Sequence, residues 1–131
     1  MSLRKIKLTT HSKMKTKVTE RFTFEAAHRI EGLGNKNSRI HGHSHEVYVT
    51  ISGEPDDRYG WLIPHEEFRT KAGAIVEQLD HSYLNEYIEN PTAEMIARHL
   101  WLKLIDKKFP DHLTLESVKV CKVGMCVEVN G

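Results

Sequence analysis

The sequence predicts a single α+β domain in which two β-hairpins are separated by two α-helices. Apolar and polar residues alternate near both ends of the chain, whereas apolar residues recur at three- and four-residue spacing in its middle. The predicted order is therefore strand, strand, helix, helix, strand, strand. This order favours an antiparallel sheet covered on one face by both helices. We expect the other face, or the sheet edges, to be buried by self-association.

Length and composition limit the classes of protein to which the chain can belong. Its 131 residues, of which 39% are hydrophobic and 28% charged, are typical of one globular domain. A formal net charge of +1 argues against a nucleic-acid partner, and no apolar run is long enough for a membrane span. The polar, basic segment 1–17 lacks the apolar stretch of a secretory signal. We expect a flexible arm at 1–17 and one domain at 18–131.

The first two strands are predicted from strict alternation. From Val18 onward, Phe22, Phe24, Ala26 and His28 fall on one parity. A loop rich in glycine and asparagine follows. The second run then places histidines and β-branched residues on a common face: His41, His43, His45, Val47, Val49 and Ile51.

Two helices are predicted between the hairpins. Pro64 fits the first turn of the first helix, and Asn90 and Pro91 fit the cap and first position of the second. Pro110 is expected to end the second helix. Each helix has one apolar stripe, made of Phe68, Ala72, Ile75, Val76 and Leu79 in the first and Ala93, Ile96, Ala97, Leu100 and Leu104 in the second.

The chain closes with a second predicted hairpin. Val118 and Val120 alternate with polar neighbours, Gly124 is a turn candidate, and residues 126–129 form the last strand. Cys121 and Cys126 lie on this hairpin, and their spacing is not that of a redox or zinc motif. We interpret both as small packing residues. Because nothing here requires a disulfide framework, we expect a cytoplasmic protein.

Histidine clustering is the first sign of chemistry. Four of the nine histidines lie at positions 28, 41, 43 and 45. On a strand, His41 and His43 point from one face with Cα atoms about 6.6 Å apart, so both rings can reach one ion. A hairpin would place His28 beside them. Three nitrogen ligands without a thiolate suit Zn²⁺ and leave a fourth position for water or substrate. His45 shares this face, and the pattern alone does not decide between His28 and His45.

Five motifs then follow one another in a characteristic order and spacing. They are FEAAHR at 24–29, IHGHSH at 40–45, GWL at 60–62, LDHSYLN at 79–85 and NPTAE at 90–94. Together they resemble the 6-pyruvoyl- and 6-carboxytetrahydropterin synthases, the latter being enzymes of queuosine biosynthesis. The resemblance extends from about residue 18 to residue 127.

The resemblance implies a fold, an assembly and a reaction. The fold would be the tunnelling fold, a four-stranded antiparallel sheet with two helices on one face (ββααββ). Trimers or hexamers would form, with active sites between subunits. The reaction would be that of a zinc-dependent lyase on a pterin-like substrate. It converts 7,8-dihydroneopterin triphosphate to a 6-substituted tetrahydropterin, 6-carboxy or 6-pyruvoyl, with loss of triphosphate.

The resemblance also assigns roles to individual residues. The zinc ligands would be His28, His41 and His43, which leaves His45 outside the metal site. Asp80 and His81 match an acid–base pair in which Asp80 orients His81. Thr92 and Glu94 match substrate-binding positions at the pterin pocket.

Three positions depart from the family pattern. The family usually has a cysteine four residues before the first histidine of HGH, where it acts as the proton-abstracting base. Here that position is Asn37, whose amide does not accept a proton at neutral pH. The pterin-anchoring glutamate falls at Lys122, or at Cys121 with a shifted gap, and lysine offers only donors. Pro64-His65 stands where an aspartate is usual.

These departures leave alternatives open. His45 or His81 could replace the missing base, and Glu116 or Glu128 could replace the missing anchor. The chain could be a divergent zinc enzyme of the same fold that acts on another pterin- or purine-like molecule. It could also be a zinc-containing, non-catalytic pterin-binding homologue.

Overall fold

The computed structural model describes residues 14–34, 36–107 and 109–131. The four long strands are β1 (Thr16–His28), β2 (His41–Gly53), β4 (Thr114–Lys122) and β5 (Met125–Asn130), and a two-residue strand, β3, spans Ser82–Tyr83. The helices are α1 (His65–Glu77) and α2 (Ala93–Asp106), and single 3₁₀ turns cover Lys36–Ser38 and Leu84–Glu86.

All long strands pair antiparallel in one sheet of order β3-β1-β2-β4-β5. This confirms the predicted α+β class and its two hairpins. Strand β3, which was not predicted, pairs parallel to β1 through Ala26↔Ser82 and Ala27↔Tyr83. Two residues are too few to produce a periodic signal, so only their place in the fold defines this strand.

Both helices contribute to one core with the inward face of the sheet. From the strands, the core takes Phe24, Ala26, Val47, Val49, Ile51, Val118 and Val120. From the helices it takes members of both predicted stripes, including Phe68, Ala72, Val76, Ile96, Ala97, Leu100 and Leu104. The predicted periodicities therefore identified the buried faces, because alternate strand residues and every third or fourth helix residue face one side.

Several predicted boundaries are corrected by local contacts. Helix α2 is capped by Thr92, whose hydroxyl accepts from the Met95 amide at 3.2 Å, and not by Asn90. Asn90 has a positive φ of 43° and its side chain instead bonds the Glu31 amide at 2.7 Å. Pro64 occupies the cap of α1 and not its first turn. Helix α2 ends at Asp106, four residues before Pro110.

The cysteine prediction is wrong. Cys121 and Cys126 are cross-strand partners in the β4–β5 hairpin and form a disulfide with Cα atoms 4.0 Å apart. The hairpin register brings them face to face, since a short turn at Val123 and Gly124 joins the two strands. They are therefore linked side chains of the hairpin and not independent packing residues.

The N-terminal boundary lies slightly earlier than expected. Strand β1 begins at Thr16, two residues before the predicted start of the domain at Val18. Residues 1–13, the greater part of the predicted arm, lie outside the described residues. Within the described ranges, neither α1 nor α2 has the length and apolar character that crossing a bilayer requires.

Core packing predicts a large difference between two leucines of α2. Leu100 is fully buried, whereas 48% of Leu102 is exposed. Leu100→Ala is expected to lower the free energy of unfolding by about 2–5 kcal/mol, because it removes apolar contacts and leaves a cavity. Leu102→Ala is the matched control and should cost less than about 1 kcal/mol. Urea unfolding measures both, and equal losses would contradict this assignment of the core.

Candidate metal centre

The β1–β2 register brings three histidines together at one end of the sheet. His28, the last residue of β1, lies directly opposite His41, the first residue of β2. His43 lies opposite Ala26, two positions along the same face. The antiparallel hairpin thus converts a thirteen-residue sequence separation into direct proximity, as the sequence predicted.

The three rings form a compact triangle. Ring centroids are separated by 4.6 Å for His28–His41, 5.1 Å for His28–His43 and 4.9 Å for His41–His43. One nitrogen of each ring lies within 4.8 Å of the corresponding nitrogens of the other two. Such a spacing allows three nitrogens to point at one cation.

Backbone carbonyls fix the tautomers of two of these rings. His28 Nδ1 donates to the Pro91 carbonyl at 2.9 Å, and His41 Nδ1 donates to the Arg39 carbonyl at 2.7 Å. Each ring therefore keeps Nε2 as its lone-pair nitrogen. His28 is fully buried and its Nε2 has no hydrogen-bond partner among the described residues. A buried, unpartnered nitrogen is costly, and a metal ion would satisfy it.

The surroundings favour neutral imidazoles. Burial lowers the pKa of His28 to about 4, although the Pro91 carbonyl opposes the shift. Burial also lowers the pKa of His43, and the positive charge of Lys122 adds to that effect. Neutral imidazole is the form that binds metals, so the donor set fits a divalent cation such as Zn²⁺.

A cavity of about 330 Å³ opens beside the triad. Two of the histidines line it together with both predicted substrate-binding residues and with two of the three altered positions: His41, His43, Thr92, Glu94, Asn37 and Lys122. Apolar contacts come from Ile30, Leu33, Ala93 and Met125. The fold therefore brings the NPTAE segment and Lys122 to the metal centre, although they lie about fifty and eighty residues further along the chain.

His45 lies on the same face but outside the triangle. Its ring is fully buried and stacks on Phe24 with centroids 4.4 Å apart. It does not belong to the group of nitrogens that could share an ion. Burial lowers its pKa to about 4, and neither ring nitrogen has a partner among the described residues.

Asp80 and His81 form a hydrogen-bonded pair at the sheet edge. Asp80 accepts the Glu25 amide at 2.8 Å through Oδ1, and accepts His81 Nδ1 at 2.9 Å through Oδ2. The Glu25 amide, followed by His81, holds the pKa of Asp80 below its usual value. The His81 backbone has a φ of 55° and its amide donates to the Glu25 carbonyl at 2.6 Å.

The pair lies outside the cavity of the triad. The His81 side chain is 82% exposed. It lines a neighbouring shallow depression together with Gly42, His43 and Ser44. His43 therefore lines both regions, while His81 faces outward at the edge of the sheet.

The sequence did not reveal the groups that orient the centre. Asn85 bonds the Arg29 backbone through both ends of its amide, at 2.9 and 3.0 Å, and Asn90 holds Glu31. These contacts tie the segment after β1 to the loop that carries the Pro91 carbonyl. The sequence could have indicated these two residues, because Asn85 and Asn90 lie within the LDHSYLN and NPTAE motifs. Their hydrogen-bond partners, however, are set by the tertiary fold.

The alternative carboxylates lie elsewhere. Glu116 bonds Ser52 and forms a salt bridge with Lys15 at 2.7 Å. Glu128 is exposed on β5, opposite Lys119. Neither lines the cavity beside the triad, where the carboxylate is that of Glu94.

Comparison with known proteins identifies the family. The sequence model described as 6-pyruvoyl tetrahydropterin synthase matches residues 17–128. A 6-carboxy-5,6,7,8-tetrahydropterin synthase of Rickettsia bellii is 32% identical, over 86% of this chain and 99% of its own. The dihydroneopterin monophosphate aldolase of Pyrococcus furiosus is 30% identical, over 82% and 90% respectively.

A solved structure supports the fold independently. The 6-pyruvoyl tetrahydropterin synthase of Caenorhabditis elegans is similar with a TM-score of 0.79 and 20% identity, over 90% of this chain and 96% of that chain. The family match covers most of the sequence, and the fold agrees with it. The chain therefore belongs to the 6-pyruvoyl tetrahydropterin synthase family, whose members act on pterin substrates.

Proposed function

We propose that this protein is a zinc-dependent lyase that converts 7,8-dihydroneopterin triphosphate to a 6-substituted tetrahydropterin. The observation that carries the proposal is the convergence of His28, His41 and His43, two of which are held with Nε2 free by backbone carbonyls. A bound zinc ion would supply Lewis acidity toward the oxygens of the substrate's side chain. Three protein ligands leave a position open for such an oxygen.

The substrate ring is proposed to bind in the cavity beside the triad. Glu94 offers a carboxylate there, and a carboxylate accepts two N–H donors from the guanidine-like edge of a pterin. Thr92 caps α2 and lines the same cavity, so it keeps the segment that carries Glu94 in place. Glu94 thereby takes the role of the anchoring glutamate that the family pattern places at Lys122.

The protein's own groups would then move protons at the side chain. The C–O bond to the triphosphate breaks and triphosphate leaves with the electron pair as the adjacent side-chain carbon loses a proton. The carbon next to the ring also loses a proton, which returns to the C6–N5 bond, so that the side chain is oxidised as the ring becomes tetrahydro and no external reductant is needed. A 6-carboxy product would in addition require attack of water and release of the outer two carbons as an aldehyde.

His81 is proposed to exchange a side-chain proton through Nε2, because Asp80 occupies its Nδ1. Asn37 lines the cavity but offers no base, so its amide can only position the substrate.

We further propose an oligomer, trimer or hexamer, with active sites between subunits. His81 faces outward at the sheet edge and does not line the cavity of its own subunit. A second copy could bring an outward-facing histidine to the cavity of its neighbour. This arrangement would also cover the polar outer face of the sheet. A cytoplasmic location is also proposed, although the Cys121–Cys126 disulfide removes the cysteine-based reason for expecting it.

A second candidate function is aldol cleavage of dihydroneopterin monophosphate. Asn37 favours it, since the position of the family's proton-abstracting cysteine is altered here. The aldolase of Pyrococcus furiosus, similar over 82% of this chain, makes the reaction a specific alternative. Such a cleavage breaks a carbon–carbon bond of the side chain, and the phosphate stays on the released aldehyde.

One incubation experiment distinguishes the two. Zinc-loaded protein is incubated separately with 7,8-dihydroneopterin triphosphate and with the monophosphate, and products are identified by mass spectrometry. We expect triphosphate and a 6-substituted tetrahydropterin from the first substrate. A phosphorylated aldehyde from the monophosphate would replace the lyase proposal by the aldolase. Protein with bound zinc that converts neither substrate would contradict both.

A further inference from the structure

The disulfide lies at the tip of the β4–β5 hairpin. Cys121 and Cys126 are cross-strand partners, and both line an open depression of about 440 Å³ on the outer face of the sheet. One residue pair, Lys122↔Met125, lies between them and the turn. Cys126 is exposed and Cys121 is partly exposed. The link therefore closes the end of the hairpin at a place that a thiol in solution can reach.

The turn that the disulfide closes has a strained backbone. Its two central residues, Val123 and Gly124, have φ angles of 48° and 79°. A two-residue hairpin turn of type I′ requires positive φ at both positions, which glycine and asparagine adopt readily. Val123 is β-branched, and a residue of that shape is an outlier in this region. Its side chain is 84% exposed, so burial does not compensate for the strain.

The strained turn is coupled to the candidate site. Strained backbone persists only where the surrounding structure holds it in place. Beside this turn, the structure that holds it is the Lys122↔Met125 pair and then the disulfide. Lys122 and Met125 both line the cavity beside the triad. A change in the turn would therefore alter one wall of that cavity.

We propose that the Cys121–Cys126 disulfide is a redox switch for the cavity beside the triad. In the oxidised protein, the link holds Val123 in its strained turn and keeps Lys122 and Met125 at the cavity. In the reduced protein, Val123 relaxes toward negative φ, the turn opens and both side chains leave the cavity wall. The inference rests on the proposed function for the reaction that the switch controls and for a cytoplasmic location, where disulfides are usually transient.

A thiol such as glutathione is the chemical partner of the switch. Its thiolate attacks Sγ of the exposed Cys126, the S–S bond breaks, and Sγ of Cys121 leaves as a thiolate that takes up a proton. A second glutathione thiolate attacks the glutathione sulfur of the mixed disulfide and releases Cys126, which is also protonated. Two electrons pass from two thiols to the protein, and one molecule of oxidised glutathione forms. Oxidised glutathione reverses the reaction.

Hydrogen exchange in defined glutathione mixtures tests the switch without substrate. Zinc-loaded protein is equilibrated at varying ratios of reduced to oxidised glutathione, and its free thiols are counted by alkylation of a parallel sample. Amide exchange is followed by mass spectrometry. We expect residues 119–128 to exchange about tenfold faster in the reduced state, because the hairpin tip then opens locally. Helix α1 should exchange equally in both states.

Acetylation of lysine side chains reports on the cavity wall itself. The Lys122 amine, which is partly buried in the oxidised protein, should react about threefold faster or more after reduction. Lys103 is the matched control, because it is exposed on α2 and should react equally in both states. A Lys122 reactivity that ignores reduction would overturn the link between the hairpin and the cavity.

Two variants separate a switch from a merely structural link. Val123→Asn gives the turn the Asn-Gly sequence that suits positive φ, so reduction should change its tip exchange by less than about twofold. The double variant Cys121→Ser, Cys126→Ser should exchange like the reduced wild type at every glutathione ratio. Equal acceleration in the wild type and Val123→Asn would overturn the switch, because the link would then act without the strained turn. A disulfide that no glutathione ratio reduces would overturn it also.

Turnover of the two pterin phosphates, measured in the same mixtures, separates this inference from the proposed function. We expect turnover to fall about threefold or more in the reduced state, because one wall of the cavity is lost. Redox-dependent exchange and Lys122 reactivity without turnover of either substrate would sustain the switch and contradict the proposed function. Turnover with tip exchange that ignores reduction would sustain the function and overturn the switch.

Discussion

The His41→Ala variant is expected to lose its zinc and, with it, about a thousandfold of its turnover. Three nitrogens are the minimum for a stable catalytic site, and removal of one leaves two ligands that exchange with solvent. The rate loss corresponds to roughly 4 kcal/mol of Lewis-acid stabilisation. His41 is the most informative candidate ligand to substitute, because it is partly exposed and its loss should disturb packing little. His28 is fully buried, so its removal would also disturb the core.

The zinc content per chain, measured by elemental mass spectrometry after dialysis against a weak chelator, tests this expectation. The wild type should retain about one zinc per chain and His41→Ala close to none. His65→Ala is the matched control, since His65 is exposed at the start of α1. His45→Gln should also retain zinc, because its nitrogens lie outside the triangle. Zinc lost from His45→Gln but kept in His41→Ala would refute the ligand assignment.

The His81→Asn variant is expected to lose about 10²–10⁴ in kcat while its zinc content stays the same. Asparagine tolerates the positive φ of 55° at this position better than alanine, and its amide can still donate to Asp80. What it lacks is a nitrogen that exchanges protons at neutral pH. The loss should therefore appear in the chemical step and not in folding or metal binding.

Single-turnover kinetics and thermal unfolding measured together test this assignment. A matched substitution, His65→Asn, changes the same atoms at an exposed site that does not line the depression beside His81. It should leave kcat, zinc content and melting temperature unchanged. Undiminished kcat in His81→Asn would remove the pair from the mechanism. A fall in zinc content together with kcat would instead make His81 a contributor to the metal site.

The sequence determined the layers of the fold. Alternation from Phe24 to His28 and from His41 to Ile51 defined both buried strand faces, and the stripes through Phe68 and Leu100 defined the helix faces. The pattern can be recognised from the local sequence alone. A half-buried strand or helix must place apolar residues at each position that faces the core, and the spacing of those positions is set by the element itself. Boundaries were less well determined, since Asn90 has the chemistry of a helix cap but bonds Glu31 instead.

The candidate metal centre was also largely predictable from the sequence. His41 and His43 are two residues apart, so any strand orients them together, and a hairpin is enough to add His28. Asp80 and His81 are adjacent, and their hydrogen bond needs little more than the local backbone. Pattern alone did not exclude His45, because parity assigns a side chain to a face of the sheet but does not give its distance from the other three rings.

Tertiary structure decided everything that depends on long-range contact. The Pro91 carbonyl orients His28 across 63 residues, and strand β3 presents His81 at the sheet edge by pairing with β1. The β4–β5 register turned Cys121 and Cys126 into a disulfide. Lys122 and the start of α2 meet at one cavity only because both elements pack beside the hairpin. The sequence fixes which chemical groups are available, but the distances between them follow from how separate elements pack. Because hydrogen bonds and charge interactions depend on those distances, the contacts at the site are decided by the tertiary structure.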